Sequence, residues 1–388
     1  MITVSEALDR LFSLVEPLGI EEVPLLGASG RVLAAPVEAM RDQPPFAASA
    51  MDGYAVTDAR PGMSFDVIGE AAAGARFDGL VGAGQAVRIF TGAPVPEGAT
   101  TVVIQEDIDR DGGRITITDR FSRGDHIRPA AGDFRKGDRI DAPRRLGPQD
   151  IALMASMNIA RVPVIRRPKV ALISTGDELV MPGEQPGPDQ IIASNTFGLH
   201  ALLRDLGAEP RLMPIARDTE TSLRNVFGMV DDADLVVTIG GASVGDHDLV
   251  AKVAGDMGLD RAFHKVAMRP GKPLMSGRLG NAMMIGLPGN PVSAMVCGYV
   301  FIAPVIRAMQ GLGREAVSRT TAPLVAPLEA NGLREHYMRA RLGPDGVSAF
   351  DRQDSSLLSI LGEADALIVR PPHDPPRNTG DIVQIVRL

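Results

Sequence analysis

At 388 residues the chain is too long for one ordinary core, and two to four domains are expected. With 45% hydrophobic and 23% charged residues it reads as a soluble globular protein, and a formal charge of −8 argues against a nucleic-acid partner, since nothing neutralises a long phosphate track. A small anion, which needs only a few local donors, is not excluded, and the excess of carboxylates suits a bound divalent cation.

The single cysteine, Cys297, rules out an internal disulfide framework and a cysteine-based zinc site. The opening residues carry no basic or apolar export signal. The longest apolar run, 296–306, is too short to span a bilayer and contains Pro304, so a cytoplasmic location without a membrane partner is expected.

In chain order, residues 3–16 pattern as an amphipathic helix. Thr3 and Glu6 have capping-box spacing, and Leu8, Leu11, Phe12 and Val15 recur at helical intervals. Between about 60 and 140, β-rich runs at 65–68, 85–90, 101–104 and 114–117 alternate with Gly and Asp clusters, which predicts an inserted β-rich domain at 41–140. A second helix is predicted near 148–157. Segments 1–40 and 141–167 then make a discontinuous helical and extended linker domain around the insert.

From Pro168 the rhythm changes to alternating strands and helices. Strands are predicted at 169–174, 211–215, 234–239 and 282–286, with helices at 195–206 and 221–230 and another after Pro291 that Pro304 should kink or split. This alternation predicts an α/β domain at 168–318 built on a parallel sheet with right-handed crossovers. Runs at 322–325, 337–342, 366–370 and 381–386 predict a C-terminal β domain at 319–388.

Three glycine-bearing turns follow predicted strands of the α/β domain: Ser174-Thr175-Gly176-Asp177-Glu178, Gly240-Gly241-Ala242-Ser243-Val244-Gly245, and Leu287-Pro288-Gly289-Asn290-Pro291. Turns at the carboxyl edge of such a sheet bring backbone N–H groups close to an anion, so a phosphorylated small molecule is the expected ligand. Glu178 and Asp248 place carboxylates beside those amides, and Mg²⁺ held by one or both would relieve the repulsion. Asp177 and Asp246 serve equally well as helix N-caps, and His247 reads as structural. Arg269-Pro270-Gly271-Lys272-Pro273 sets two cations three apart in a segment braced by prolines, which suggests a rigid anion clamp. Asn290 either caps the next helix or hydrogen-bonds a ligand. In the N-terminal half, Asp52-Gly53, Thr91-Gly92, and the loop carrying Arg128 and Asp133 each read, taken singly, as turns.

With Ser49-Ala50-Met51-Asp52-Gly53-Tyr54-Ala55, Thr91-Gly92-Ala93 and Pro270-Gly271-Lys272-Pro273 added to the three turns, the whole chain resembles the MoeA-type molybdopterin molybdenumtransferases, the family that includes the gephyrin E domain. The resemblance implies a multidomain α/β plus β architecture. A central three-layer molybdopterin-binding α/β domain would be accompanied by an inserted β domain, an extended helical segment and a C-terminal β-barrel-like domain. The elongated protomer would form a homodimer in which the cleft of one subunit faces the Asp52 region of the other.

The implied reaction takes adenylylated molybdopterin and molybdate, with Mg²⁺, to molybdenum cofactor and AMP. The molybdopterin adenylyltransferase and recipient molybdoenzymes are implied as protein partners. Position by position, Asp52, Thr91, Asp133, Glu178 and Asp248 match polar active-site residues, and Arg128 matches a basic residue beside Asp133. Thr175, Gly176, Gly240, Gly241, Ser243, Gly245, Pro288, Asn290 and Pro291 fall on the substrate-binding turns. Arg269, Lys272, Arg339 and Ser355 match the molybdate pocket; Arg269 stands where lysine is common, and Ala242 where valine is common. Two rival readings remain, a molybdopterin adenylyltransferase and a non-catalytic dimeric scaffold.

Overall fold

The computed structural model describes residues 1–121, 124–241 and 249–388. Helix α1 (Val4–Ser13) carries the expected capping box: the Thr3 hydroxyl accepts from the Glu6 backbone N–H at 3.1 Å, and the Glu6 carboxylate accepts from the Thr3 N–H at 2.7 Å. Its buried face, Val4, Ala7, Leu8, Leu11 and Phe12, packs into the core of the central α/β domain. The helix is thus set apart from the segments around 20–40 and 141–167. Those two meet in a four-stranded sheet ordered Ile20–Pro24, Arg161–Ile165, Val32–Leu33, Arg144–Arg145, covered by α2 (Pro148–Ser156).

The inserted region forms a six-stranded sheet ordered Thr101–Ile104, Gly53–Val56, Gln85–Ile89, Ser64–Ala71, Arg114–Ile117, Ile108–Asp111. Its alternating burial, for example along Ser64–Ala71, reflects the period-two pattern that marked these runs in the sequence.

The central sheet is ordered Glu209–Leu212, Lys169–Ser174, Leu235–Ile239, Ala282–Leu287, Pro273–Leu279, Asp260–Lys265. The first four strands are parallel; the last two run antiparallel, so the all-parallel expectation fails at that edge. Two strands follow one another there through a short connection, and the intervening crossover helix that parallel pairing requires is absent. Glu209–Leu212 also lies earlier than the predicted 211–215, because Pro214 has no N–H to continue the ladder.

Alternate residues divide the central sheet between two cores. Val170 and Leu172 face α1, α3 (Asn195–Asp205) and the long helical run from Pro291, while Ala171 and Ile173 face α4 (Glu220–Phe227) and α5 (Leu249–Asp256). This is a three-layer arrangement.

The run from Pro291 passes through α6 (Pro291–Cys297), a π-helical turn at Gly298–Ile302 and α7 (Ala303–Met309). The wider π turn accommodates Pro304, which lacks an N–H and would collide with the carbonyl one turn back. The run is 19 residues and apolar enough to cross a membrane by length, but 83% of its most apolar window is buried inside the protein.

The C-terminal strands Glu335–Gly343, Ala366–Arg370, Ile382–Arg387 and Thr320–Pro323 follow one another in a sheet. Gly346–Ala349 pairs with the first, and Val347 bridges to Leu324 beyond the last, so the sheet closes on itself around Leu324, Val347 and Ile368. Met268–Arg269, from the central domain, adds as a parallel strand beside Glu335 and His336. That short pairing joins the two domains and positions the cations described next.

Candidate active site

The three turns converge at one edge of the central sheet. Thr175 follows the strand Lys169–Ser174 and donates from its N–H to the Ile239 carbonyl at 3.0 Å; contrary to the expectation that these N–H groups face an anion, those of Gly176 and Gly240 donate to the Ala216 and Leu287 carbonyls, each at 3.1 Å. Gly240 has φ +94°, and a Cβ there would lie 2.7 Å from the Thr175 carbonyl oxygen, so only glycine lets the second turn approach the first. The third turn closes on both: a Cβ on Gly289 would lie 3.6 Å from Gly240 Cα, and Asn195 Nδ2 donates to the Gly289 carbonyl at 2.7 Å.

Together they bound a cleft of about 900 Å³. Thr175, Gly176, Glu178, Gly240, Gly241, Pro288, Asn290 and Pro291 all line it. Ile191 and Ile192 give it an apolar wall. Lys252, which pairs with Glu220, and Asp218 also line it; neither stood out in the sequence, because their partners come from separate helices or turns.

The Glu178 carboxylate folds back over Gly176, where any side chain would collide with it. Asp177 is no helix cap: its carboxylate accepts from the Asp218 N–H at 3.2 Å and ties the first turn to the 216–218 segment. Ser243, Gly245, Asp246, His247 and Asp248 lie outside the described residues. Among the described residues no group of three or more His, Cys, Asp or Glu converges as a metal site. The donor set nonetheless fits Mg²⁺, which keeps most of its waters and takes one or two carboxylates together with substrate phosphates. Glu178 offers such a hard oxygen inside the cleft.

A second polar cluster sits where the central and C-terminal domains join. Asn290 lies on the cleft, and its Nδ2 donates to Ser355 Oγ at 3.0 Å, while the Val292 N–H donates to the Ser355 carbonyl at 3.1 Å. Asn290 therefore reaches across the domain junction and leaves the helix start uncapped by its side chain. Arg339 is only 1% exposed, and its Nη1 donates to the Asp354 carbonyl at 2.7 Å. Arg269 lies in register with His336, three residues from Arg339 on the neighbouring strand.

Burial, reinforced by the charges of Arg269, Arg339, Arg370 and Arg334, pushes the His336 imidazole down to about 4. Burial also pulls the Arg339 guanidinium below the usual arginine range, with the Asp354 charge opposing and the Arg269 charge assisting. Arg370 is neutralised by Asp374. Among the described residues, Arg269, Lys272 and Arg339 have no carboxylate within ion-pair distance, and Arg269 and Lys272 are exposed. A concentration of positive charge with so little compensation favours a bound anion.

A third cluster lies in the inserted domain. The Asp52 carboxylate accepts from the Thr91 N–H at 2.7 Å and the Thr91 hydroxyl at 2.8 Å. The backbone bond, then the hydroxyl bond, holds its pKa below the usual aspartate value. The two-residue strand Ala48–Ser49 draws the loops together: it pairs with Ile127–Arg128, and Ser49 exchanges backbone bonds with Gly92 and Ala93. Asp133 joins through its N–H to the Gln43 carbonyl at 2.9 Å. Asp52, Thr91 and Arg128 are thus drawn together by the loops around Ala48–Ser49, with Asp133 tied to the Gln43 segment that leads into it, and none of the four lines the cleft.

Comparison with known proteins gives a consistent result over the chain. Residues 2–158 match the family model for the MoeA N-terminal region (domain I and II), 171–308 the probable molybdopterin binding domain, and 321–388 the MoeA C-terminal region (domain IV). The chain is 35% identical to a molybdopterin molybdenumtransferase of Nostoc sp., covering 100% of this chain and 94% of that protein. It is 37% identical to one from Haemophilus influenzae over 80% and 78%. The molybdopterin biosynthesis MoeA protein of Pyrococcus horikoshii, a crystal structure, superposes with a TM-score of 0.85 at 26% identity over 100% of both chains. With all three of its regions accounted for in order, the chain belongs to the molybdopterin molybdenumtransferase family.

Proposed function

We propose that the protein inserts molybdenum from molybdate into adenylylated molybdopterin, with Mg²⁺, to give molybdenum cofactor and AMP. One observation carries this reading. A cleft built from three glycine-bearing turns adjoins a cluster of uncompensated cations, and the Asn290–Ser355 hydrogen bond links the two. One ligand with phosphates and one compact dianion would occupy such neighbouring sites.

The turns at Gly176, Gly240 and Gly241 line the place taken by the phosphates of the pterin substrate, and Ile191 and Ile192 exclude water beside it. Arg269, Lys272, Arg339 and Ser355 take molybdate, which as a tetrahedral dianion needs fixed cations and donors. Glu178, with Asp248, would hold Mg²⁺, which when bound neutralises charge on the phosphoric anhydride. Asp52 has a depressed pKa and so is a poor proton acceptor; its role is to orient the reacting groups or help hold the cation. With Thr91, Arg128 and Asp133 it forms the opposite wall of the site, contributed by the other subunit of a homodimer. A pure scaffold has no use for this concentration of cations beside a phosphate-sized cleft.

Glu178→Gln keeps the shape of the turn and removes the charge. It is expected to abolish molybdenum insertion while leaving the affinity for adenylylated molybdopterin within about threefold, the scale of one neutral contact. Unchanged turnover in that variant, assayed with Mg²⁺ and molybdate, removes Glu178 from the reaction.

A further inference from the structure

Arg339 is held in an unusual way for a buried cation. Gln353 Oε1 accepts from the Arg339 backbone N–H at 3.0 Å, from Nε at 3.3 Å and from Nη2 at 3.2 Å. Gln353 Nε2 donates in turn to the Arg339 carbonyl at 2.9 Å and the Phe350 carbonyl at 2.8 Å. The remaining partner of the guanidinium is the Asp354 carbonyl, at 2.7 Å from Nη1, while the Asp354 carboxylate turns away to the Ser356 N–H and hydroxyl.

A guanidinium carries five N–H bonds, and three are used here, leaving one on each of Nη1 and Nη2. Donors left on both terminal nitrogens can serve two oxygens of one anion. All its present partners are neutral acceptors, so the guanidinium is fixed in place without being neutralised.

We infer that Gln353 is a positioning residue of the oxyanion pocket: it fixes the Arg339 fork, ties the Ser355-bearing loop to the same strand, and as an amide leaves the full charge of Arg339 to the anion. This rests on the assignment of Arg339 to the molybdate pocket. A glutamate at 353 would make nearly the same bonds to the guanidinium but compete with the dianion for its charge. The two roles a residue at this place can play, holding the fold and tuning the pocket, are separated by reading stability and molybdate dependence side by side.

The test compares full-length wild type, Gln353→Glu, Gln353→Met and Arg339→Gln. Read out are the molybdate concentration for half-maximal cofactor formation, direct molybdate titration by calorimetry, affinity for adenylylated molybdopterin, and thermal stability. Gln353→Glu is expected to melt somewhat lower, having lost the two bonds its amide donates to carbonyls, and to keep its pterin affinity but need about ten- to a hundredfold more molybdate, the scale of one charge-assisted contact. Gln353→Met removes the acceptor without adding charge, and is expected to raise the molybdate requirement by about threefold or more. It also serves if the glutamate variant fails to fold.

A purely structural role would lower stability in Gln353→Met and spare the molybdate dependence of both variants, and that result overturns the proposal. If Arg339→Gln raises the molybdate requirement while the Gln353 variants do not, only the role of Gln353 falls. If Arg339→Gln is also without effect, the assignment of Arg339 to the pocket falls with it.

Discussion

His336 shows how a single side chain reports on the pocket around it. The imidazole is 7% exposed, and burial together with the charges of Arg269, Arg339, Arg370 and Arg334 pushes it down to about 4, against 6.5 for a free group. Above pH 6.5 it is neutral in both folded and unfolded chains. As pH falls below 6.5 the unfolded chain takes up the proton and the folded one does not, so stability is lost until the folded imidazole titrates as well. Between pH 6.5 and 5 this amounts to roughly 2 kcal/mol. His336→Asn should flatten that part of the stability curve relative to wild type in urea unfolding, since the carboxylates are common to both proteins. Parallel curves for the two proteins would mean that burial and the surrounding arginines do not hold the imidazole neutral. Lone side chains of this kind were hard to read from the sequence. His336, Lys252 and Gln353 acquire their roles from partners on other elements, and nothing within a few residues of them signals it.

At the scale of elements, the turns were legible and their neighbours less so. A buried apolar run followed by glycine marks a strand end with a close backbone approach, and Thr175-Gly176, Gly240-Gly241 and Pro288-Gly289 all sit at the predicted strand ends. Gly240→Ala tests whether the approach matters. With φ +94° and the Thr175 carbonyl 2.7 Å from the added Cβ, it should cost about 1–3 kcal/mol of stability. It should also weaken pterin binding, both measurable by denaturant titration and equilibrium binding; retention of both would show that the turn yields easily. The antiparallel edge, Asp260–Lys265 with Pro273–Leu279, was missed for a physical reason. Its strands carry polar residues and register shifts, and they flank the segment whose prolines and cations had drawn attention as a clamp. The docking of α1 on the central core was equally hidden: periodicity shows an apolar face and is silent about what covers it.

At the scale of the molecule, the polar residues of the N-terminal half and those of the cleft belong to separate clusters within the chain. Nothing in the sequence around Asp52 distinguishes it from an Asp-Gly turn; the resemblance to the family assigned it a role. If two subunits share each site, then mixing an Asp52→Asn chain with a Glu178→Gln chain restores one intact site per mixed dimer. Free exchange at equal amounts should return about a quarter of wild-type activity from two inactive parents. Activity no greater than that of the parents, with mixed dimers verified by two affinity tags, would place both residues in the site of a single chain.

The reaction itself is tested most directly by incubating the wild-type protein with adenylylated molybdopterin, Mg²⁺ and molybdate, and measuring molybdenum cofactor and AMP. Both products are expected in equal amounts, with none formed when molybdate is left out and none from molybdopterin and ATP. Adenylylated pterin accumulating from molybdopterin and ATP, with no cofactor formed from the adenylylated substrate, would contradict the assignment.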